Sequence, residues 1–327
     1  MKAFEFEVPA TAANLGPGFG TLGLALDLKF RVKVEPSDFD GIVIERTGES
    51  TDDAAEATAN ASILDMRHDS VLRALRSAAE RFSISLPKGL TVTIEGNVPR
   101  SIGLGTNTAD VVAGATSALR IGSALDSKAQ VTADQLLDFA VELGADPGHA
   151  AGALSGGLAF AVPAGATNHQ GEWRRQFRVR TTPLHPSWHF IVVAPKVDSG
   201  TAEAHRVVPA SLPHGVVTRT AARLAALLQA LEGGDEDLLS LALEDESHVP
   251  FRLDATPGLR ESFTAAHEAG AAGATICGHG PAVVALTTDA DLAKPIREAL
   301  EQAFQSAEVA ARSRICKASE TGALATS

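Results

Sequence analysis

The sequence predicts an α+β protein in which helices are layered on antiparallel sheets. Apolar and polar residues alternate at 4–8 and 90–94, which is typical of half-buried strands. Apolar residues recur at helical spacing in 70–82, and Thr132 is placed to cap a helix over 133–143. In the second half, predicted helices alternate with strands. The helices cover 214–232, 235–243, 257–269 and 289–305, and the strands cover 274–277, 282–286 and 308–316.

The length and the charge of the chain limit its organisation and its partners. A chain of 327 residues can form two packed domains, and the polar, glycine-containing segment 164–172 is the best candidate for a junction. We therefore predict one domain over residues 1–165 and a second over residues 166–327. The net charge of −12 argues against nonspecific binding to nucleic acid and to anionic membrane surfaces. A bound polyanion would therefore need a local positive site.

The cysteine content and the first residues of the chain predict a cytoplasmic protein. Cys277 and Cys316 are the only cysteines, too few for a disulfide scaffold, and free thiols suit a reducing compartment. The first residues lack the basic and apolar pattern of a secretion signal, and no apolar run has the length of a membrane span.

Residues 99–114, which read PRSIGLGTNTADVVAG, contain the best candidate for a phosphate site. After Pro99 comes a tight turn made of Gly103, Leu104 and Gly105. The polar residues that follow are Thr106, Asn107 and Thr108, and a helix is predicted from residue 109. A narrow turn that opens into a helix directs N–H groups and the positive end of the helix dipole at one point, which suits a phosphate. The hydroxyl and amide groups can add bonds to phosphate oxygens or to Mg²⁺.

Two alternatives stay open for the glycine-rich segments. The turn at 103–105 can simply cap a helix, and it is not a Walker loop, because no Gly-Lys-Ser/Thr follows it. A second loop, ATAANLGPGFGTLGLAL at residues 10–26, lets backbone approach a ligand closely, or it is a plain connection between two strands.

Three stretches together resemble, in order and spacing, the signature motifs of the GHMP small-molecule kinases. They are VPATAANLGPGFGTLGLAL (8–26), PRSIGLGTNTADVVAG (99–114) and ICGHGPAVVAL (276–286). The first is most similar to the motif of the homoserine kinases. Three further stretches agree with that group: SGTAEAH (199–205), VPFR (249–252) and PGLRESF (257–263).

The resemblance implies a fold and a nucleotide site. The N-terminal domain would be ribosomal-S5-like with a left-handed β-α-β unit, and the C-terminal domain would be ferredoxin-like. ATP would lie between them, with its phosphates on the 103–108 loop. Magnesium would be held by Asn107 and Glu142. Members of the family often form dimers, so a homodimer is expected.

The resemblance also implies an acceptor, L-homoserine, whose phosphorylation belongs to threonine biosynthesis. The implied substrate residues are Asn14, Gly20, His149, His205, Arg252 and His279. Four of these depart from the usual pattern. Homoserine kinases usually carry Asp at the position of Gly20, Asn at that of His149, Arg at that of His205 and Ser at that of His279. The phosphate loop reads GLGTNTA in place of the usual GLGSSA.

These departures leave alternatives for the acceptor and for the chemistry. Arg252 can bind a carboxylate, but the sequence shows no clear partner for an ammonium, so another small polar acid is an alternative substrate. A protein that has lost phosphoryl transfer, and binds a metabolite or performs other chemistry, is a further alternative.

Individual residues have alternatives as well. His149 takes the position of a catalytic Asp in several GHMP kinases, and its pKa near neutrality suits a general base. It could instead hydrogen-bond the substrate or only pack in its helix. Arg252 could form a surface ion pair, and His279 could contact phosphate or only shape its turn. We expect Asp146 to cap a helix rather than to be a site residue, and Asp110 to be an exposed helix residue rather than a metal ligand.

Overall fold

Two sheets organise the chain in this computed structural model, which describes residues 1–48, 69–96, 98, 100, 102–125, 130–169, 172–197 and 207–325. The elements of the first half are β1 (Phe4–Ala13), β2 (Leu22–Pro36), β3 (Gly41–Thr47), α1 (Ser70–Arg81), β4 (Gly89–Glu95), α2 (Thr106–Ala124), α3 (Ala133–Glu142), α4 (Pro147–Ser155), β5 (Leu158–His169) and β6 (Glu172–Thr182). Those of the second half are β7 (His189–Pro195), α5 (His214–Gly233), α6 (Glu236–Ala242), α7 (Leu259–Glu268), β8 (Gly273–Ile276), β9 (Val283–Thr287), α8 (Ala290–Ser306) and β10 (Ala311–Cys316).

The first sheet has the strand order β3-β4-β2-β5-β6, with β1 paired to β2. All pairs are antiparallel except β3–β4, which is parallel and is connected through α1. Burial alternates in the second part of β2, where Phe30, Val32 and Val34 are buried, and Val32 pairs with Phe6 on one side and Ile94 on the other. Because this face of the sheet is apolar, the helices of the first half cover it and form the main core.

Local capping signals set the helix starts in the first half. The Asp69 side chain caps α1 by accepting from the N–H groups of Val71 and Leu72. Thr132 caps α3 in a capping box, as predicted. Helix α2 begins at Thr106, three residues before the predicted start, so the polar residues 106–108 form its first turn. Among the described helices, none combines the length and the apolar character needed to cross a bilayer.

The second sheet has the antiparallel order β10-β7-β9-β8. Counted within this half, the order is 4-1-3-2, and the chain sequence of strands and helices fits the ferredoxin-like expectation. Ile191 and Val193 of β7 pack with Ile296 and Phe304 of α8 in a second apolar cluster. The α+β prediction is therefore confirmed in both halves.

The change from one sheet to the other falls after β6. The predicted junction segment 164–172 instead belongs to the hairpin of β5 and β6, whose pairing runs as far as His169 opposite Glu172. The predicted boundary between residues 165 and 166 thus lies inside β5. The chain passes between the sheets in the connection 183–188, ahead of β7.

Residues 318–325 return to the first half. Ala318 forms a bridge with Leu26, and the Ser319 carbonyl accepts a hydrogen bond from the Gly157 N–H at 2.7 Å. The Ala323 N–H donates to the Ala153 carbonyl at 2.8 Å. These bonds join the final segment to α4 and to the start of β5.

Candidate active site

The glycine turn at 103–105 opens onto a cavity of about 340 Å³. The cavity lies where the start of α2, the start of α4 and the turn between β8 and β9 come together. Its lining residues are Gly103, Gly105, Thr106, Asn107, Thr108, Gly144, Ala145, Asp146, Pro147, His149, His279 and Gly280. Of the residues predicted for the site, the structure therefore brings the phosphate loop, His149 and His279 together at this cavity.

The first turn of α2 presents backbone donors to this cavity. Gly105 is the N-cap with φ 67° and makes no side-chain cap, and the first bond inside the helix runs from the Ala109 N–H to the Gly105 carbonyl. The N–H groups of residues 106–108 thus have no partner inside the helix, and the helix dipole adds positive potential there. This is a site for an anion such as a phosphate. Leu104, 2% exposed, anchors the turn in the core, and its carbonyl accepts from the Thr11 N–H.

His149 borders the cavity and is almost wholly buried. It lies in the first turn of α4, where the Asp146 carboxylate accepts a hydrogen bond from the His149 backbone N–H, which confirms Asp146 as a cap. The imidazole Nδ1 is 2.7 Å from the hydroxyl oxygen of Thr11 on β1. Burial lowers the pKa of His149 below its ordinary 6.5, although the Asp146 carboxylate opposes the shift. The imidazole is therefore neutral at pH 7 and able to accept a proton.

Two glycines make room for this imidazole. A Cβ at Gly105 would lie 2.5 Å from Nδ1 of His149, and a Cβ at Gly278 would lie 2.5 Å from Nε2. Both glycines have φ in the left-handed region, 67° and 55°. The phosphate loop and the turn between β8 and β9 therefore pack against opposite nitrogens of one side chain, and neither position accepts a larger residue.

Asn14 joins two loops of the site and does not line the cavity. Its side chain is fully buried. The amide Nδ2 donates to the Gly278 carbonyl at 2.6 Å, and Oδ1 accepts from the Gly20 N–H at 2.8 Å. The structure thus gives Asn14 a positioning role in place of the predicted contact with substrate, because its amide group is engaged by the protein.

Gly20 lies beside this junction. Its φ is 72°, and a Cβ at this position would meet no atom of the described residues within 4 Å. A short polar side chain therefore fits here sterically, at the cost of a left-handed backbone. Gly20 is not among the lining residues of the cavity.

Arg252 is not among the lining residues given for the cavity, and it is not a surface residue. It is 2% exposed, which excludes the surface ion pair considered from the sequence. The centre of its guanidinium is 5.4 Å from the ring of Phe19, and the edge of that ring meets the ring of His279 at 6.3 Å between centroids. Phe19, in the glycine-rich loop, thus connects the cavity wall with Arg252.

The surroundings of two acidic residues, Glu142 and Asp110, differ from those predicted from the sequence. Glu142 lines a separate cavity, where its carboxylate pairs with Arg174 at 3.1 Å and with Arg81 at 3.8 Å. The predicted magnesium pair of Asn107 and Glu142 is therefore not brought together. Within the described ranges, no group of three or more His, Cys, Asp or Glu side chains is arranged for a metal ion.

Asp110, predicted to be exposed, is 4% exposed. Its carboxylate pairs with Arg46 of β3 and, through both oxygens, with Arg100 ahead of the phosphate loop. This ionic cluster ties the second turn of α2 to the edge of the first sheet and to the segment that leads into the loop.

Two predicted residues, Pro99 and His205, lie outside the described residues. Conversely, three residues that the prediction missed take part in the site: Thr11, Phe19 and His248. Thr11 is the partner of His149, 138 positions away in the chain. A single hydroxyl in an apolar strand is a weak signal, because nothing near it in the sequence names its partner.

The site and the fold define a class of protein. It is an α+β protein in which a helix N-terminus suited to a phosphate and a neutral, buried histidine border the same cavity. Two family models match the chain, "GHMP kinases N terminal domain" over residues 69–160 and "GHMP kinases C terminal" over residues 226–306. The chain is 31% identical to a homoserine kinase of a Synechococcus strain, over 96% of this chain and 95% of that protein. It is 33% identical to a homoserine kinase of Moorella thermoacetica, over 85% of each. The chain therefore belongs to the GHMP kinase family.

Solved structures agree on the fold. The crystal structure of a homoserine kinase from Cytophaga hutchinsonii superposes with a TM-score of 0.80 at 23% identity, and covers 98% of this chain and 96% of that one. A mevalonate kinase from Methanococcus jannaschii gives a TM-score of 0.64 at 14% identity, with 97% and 98% coverage. The GHMP kinase fold is thus shown, and the protein is a phosphotransferase of small molecules.

Proposed function

We propose that the protein transfers the γ-phosphoryl group of ATP to the hydroxyl of a small carboxylic acid, with L-homoserine as the first candidate. The observation that carries this proposal is that the α2 N-terminus and the neutral His149 border the same cavity. Relatives named homoserine kinase, at 31% and 33% identity, support the choice of acceptor.

The phosphate chain of the nucleotide would be held by the N–H groups of residues 106–108 and by the hydroxyls of Thr106 and Thr108. These groups fit a polyanion because they are donors on a helix N-terminus, and the backbone of Gly103 and Gly105 lines the same cavity. Magnesium, if bound with the nucleotide, would be held by Asn107, whose amide oxygen suits a hard cation. It would neutralise charge on the phosphates. Glu142 would not be a magnesium ligand, because its carboxylate is already paired with Arg174 and Arg81.

His149 would accept the proton of the acceptor hydroxyl as phosphoryl transfer proceeds. A neutral imidazole can do this, and its bond to Thr11 keeps the ring orientation fixed. Most of the rate enhancement would still come from positioning and from charge stabilisation at the helix N-terminus, as in other phosphoryl transfers.

Arg252 would bind the carboxylate of the acceptor. The half-buried Phe19 ring contacts both the guanidinium of Arg252 and the ring of His279, which lines the cavity. A specific observation favours a second acceptor class: position 20 is a glycine, which has no side chain and so supplies no anion for an ammonium. A hydroxy acid without an amino group is therefore the second candidate.

A panel of three matched acceptors tests the proposal, with transfer from MgATP followed by ³¹P NMR. L-Homoserine carries both charged groups, 4-hydroxybutanoate lacks the ammonium, and 2-aminobutane-1,4-diol lacks the carboxylate. We expect phosphorylation of one or both acids and much less of the diol. The proposal is wrong if no ATP is consumed in the presence of any of the three acceptors, or if the diol is the best acceptor.

A cytoplasmic homodimer that acts in threonine biosynthesis is the setting this function suggests. Sedimentation at several protein concentrations would test the dimer directly.

A further inference from the structure

We propose that His248 is a positioning residue that aims Arg252 at the acceptor carboxylate and locks it to the glycine-rich loop. The inference rests on the proposed function, because it assigns to Arg252 a carboxylate ligand. It adds a residue that lies outside the three motifs and outside the cavity.

The two ring nitrogens of His248 have different and complementary partners. Nε2 lies 2.9 Å from the Gly16 carbonyl oxygen, and Nδ1 lies 2.6 Å from Nη1 of Arg252. A carbonyl can only accept a hydrogen bond and a guanidinium can only donate one. Nε2 must therefore carry the proton and Nδ1 must be the acceptor, so only one neutral tautomer satisfies both contacts.

The surroundings of His248 hold it in this state. The residue is fully buried, and the Phe19 ring stacks on the imidazole at 4.6 Å between centroids. Burial lowers the pKa of His248 to about 4, Arg252 acts in the same direction and Asp245 opposes them. Asp245 is itself engaged by the backbone, since its carboxylate accepts from the N–H groups of His248 and Val249 at 2.8 and 2.7 Å.

The contact with Gly16 gives this arrangement a consequence for specificity. Gly16 belongs to the loop that carries Phe19 and Gly20, so one imidazole connects the loop backbone to the guanidinium. Arginine has many rotamers, and a donor that is fixed before the ligand arrives binds more tightly than one that must first be ordered. His248 thus acts on the acid end of the acceptor through Arg252, without touching the acceptor itself.

A pair of near-isosteric substitutions separates the two contacts. In His248→Gln, the side-chain amide can reach the Gly16 carbonyl, but the acceptor for Arg252 is lost. In His248→Asn, an amide oxygen close to the Nδ1 position can still accept from Arg252, but the bond to Gly16 is lost. Each variant leaves one buried partner unmatched, so their losses of stability should be similar.

We expect His248→Gln to raise the KM for the acid acceptor roughly tenfold, and His248→Asn to raise it less than about threefold. The KM for ATP should change little in both. With the diol acceptor, which has no carboxylate, the difference between the variants should disappear. Asp254→Asn is the control, because Asp254 is two residues from Arg252 but exposed and paired with Arg260, and it should behave as the unmodified protein.

The positioning role is wrong if His248→Gln and His248→Asn change the KM equally, or if the diol shows the same difference as the acid. ¹⁵N NMR of the histidine rings gives a readout that needs no activity. It should show the neutral Nε2–H tautomer of His248 at pH 7, and an Nδ1–H tautomer or an imidazolium would also overturn the inference. If the unmodified protein phosphorylates no acceptor, the proposed function fails separately, and the NMR result still decides whether His248 holds Arg252.

Discussion

At the scale of single residues, the site depends on histidines that burial keeps neutral. His149 and His248 both have lowered pKa values for the same physical reason, the loss of water around the charged form. The two histidines have different roles because they lie in different positions relative to the cavity. His149 borders the cavity and can exchange a proton with a bound hydroxyl, whereas His248 is enclosed and can only hold its neighbours.

Replacement of His149 by Ala tests its use as a base. We expect the single-turnover rate of phosphoryl transfer to fall about 10²- to 10⁴-fold, the usual contribution of a positioned base. In the unmodified protein, the rate should decline in acid with a midpoint below pH 6.5, because burial lowers the pKa of His149. A rate within threefold of the unmodified protein would exclude the base role. Thermal unfolding of the variant controls for loss of fold.

Replacement of Gly20 by Asp places a carboxylate beside the Asn14 junction, where no described residue would lie against its Cβ. The left-handed φ of 72° costs about 1 kcal/mol with any Cβ, and Asp tolerates it better than most residues. We expect a lower KM for homoserine and no gain for 4-hydroxybutanoate, since only the former has an ammonium. An equal change in the KM of both acceptors would show that position 20 does not face the acceptor's ammonium.

At the scale of elements, the turn between β8 and β9 must approach α4 closely, and Gly278 permits it. In Gly278→Ala the new Cβ meets Nε2 of His149 at 2.5 Å, in addition to backbone strain at φ 55°. Gly157→Ala is a matched control, because φ is 62° there and no atom of the part of the chain that the structure describes would lie within 4 Å of the new Cβ. We expect Gly278→Ala to be about 2 kcal/mol less stable than the control in urea unfolding, and to lose most of its activity. Equal stability of the two variants would contradict the close packing of the turn on His149.

The ionic cluster at the start of α2 gives a second prediction at this scale. Asp110→Asn leaves Arg46 and Arg100, which are 17% and 23% exposed in their side chains, without their shared carboxylate. We expect a loss of about 2 kcal/mol in unfolding free energy. The exposed pair of Asp254 and Arg260 provides the comparison, and Asp254→Asn should cost less than about 0.5 kcal/mol. Similar losses in the two variants would show that the cluster contributes no more than a surface pair.

Local signals in the sequence predicted most elements and part of the site. The cap at Thr132, the glycine turn and the helix after it depend on neighbours within a few residues, and the structure agrees with them. Three other placements depend on partners far along the chain. Asn14 bonds to Gly278, Asp110 to Arg46, and Glu142 to Arg174, so spacing alone could not show which side chains face the cavity.

At the scale of the whole molecule, buried neutral histidines make stability depend on pH. The unfolded chain protonates His248 near pH 6.5, but the folded protein does so only near pH 4. Between these values unfolding takes up a proton, so the contribution is complete above pH 6.5 and is lost progressively towards pH 4. We expect about 2 kcal/mol less unfolding free energy at pH 5 than at pH 7 from this residue. In His248→Asn, urea titrations at both pH values should show a difference smaller by that amount, and an unchanged difference would contradict it.

The return of residues 318–325 to the first half imposes an order on biosynthesis. The N–H of Gly157 and the carbonyl of Ala153 receive their partners, Ser319 and Ala323, from a segment more than 160 positions later. A nascent chain can therefore form the first sheet early. The backbone groups of α4 and of the start of β5 that bond to residues 318–325 stay unpaired while the second half is translated. The ribosome must pass residue 323 before the half that holds His149 and the phosphate loop is closed.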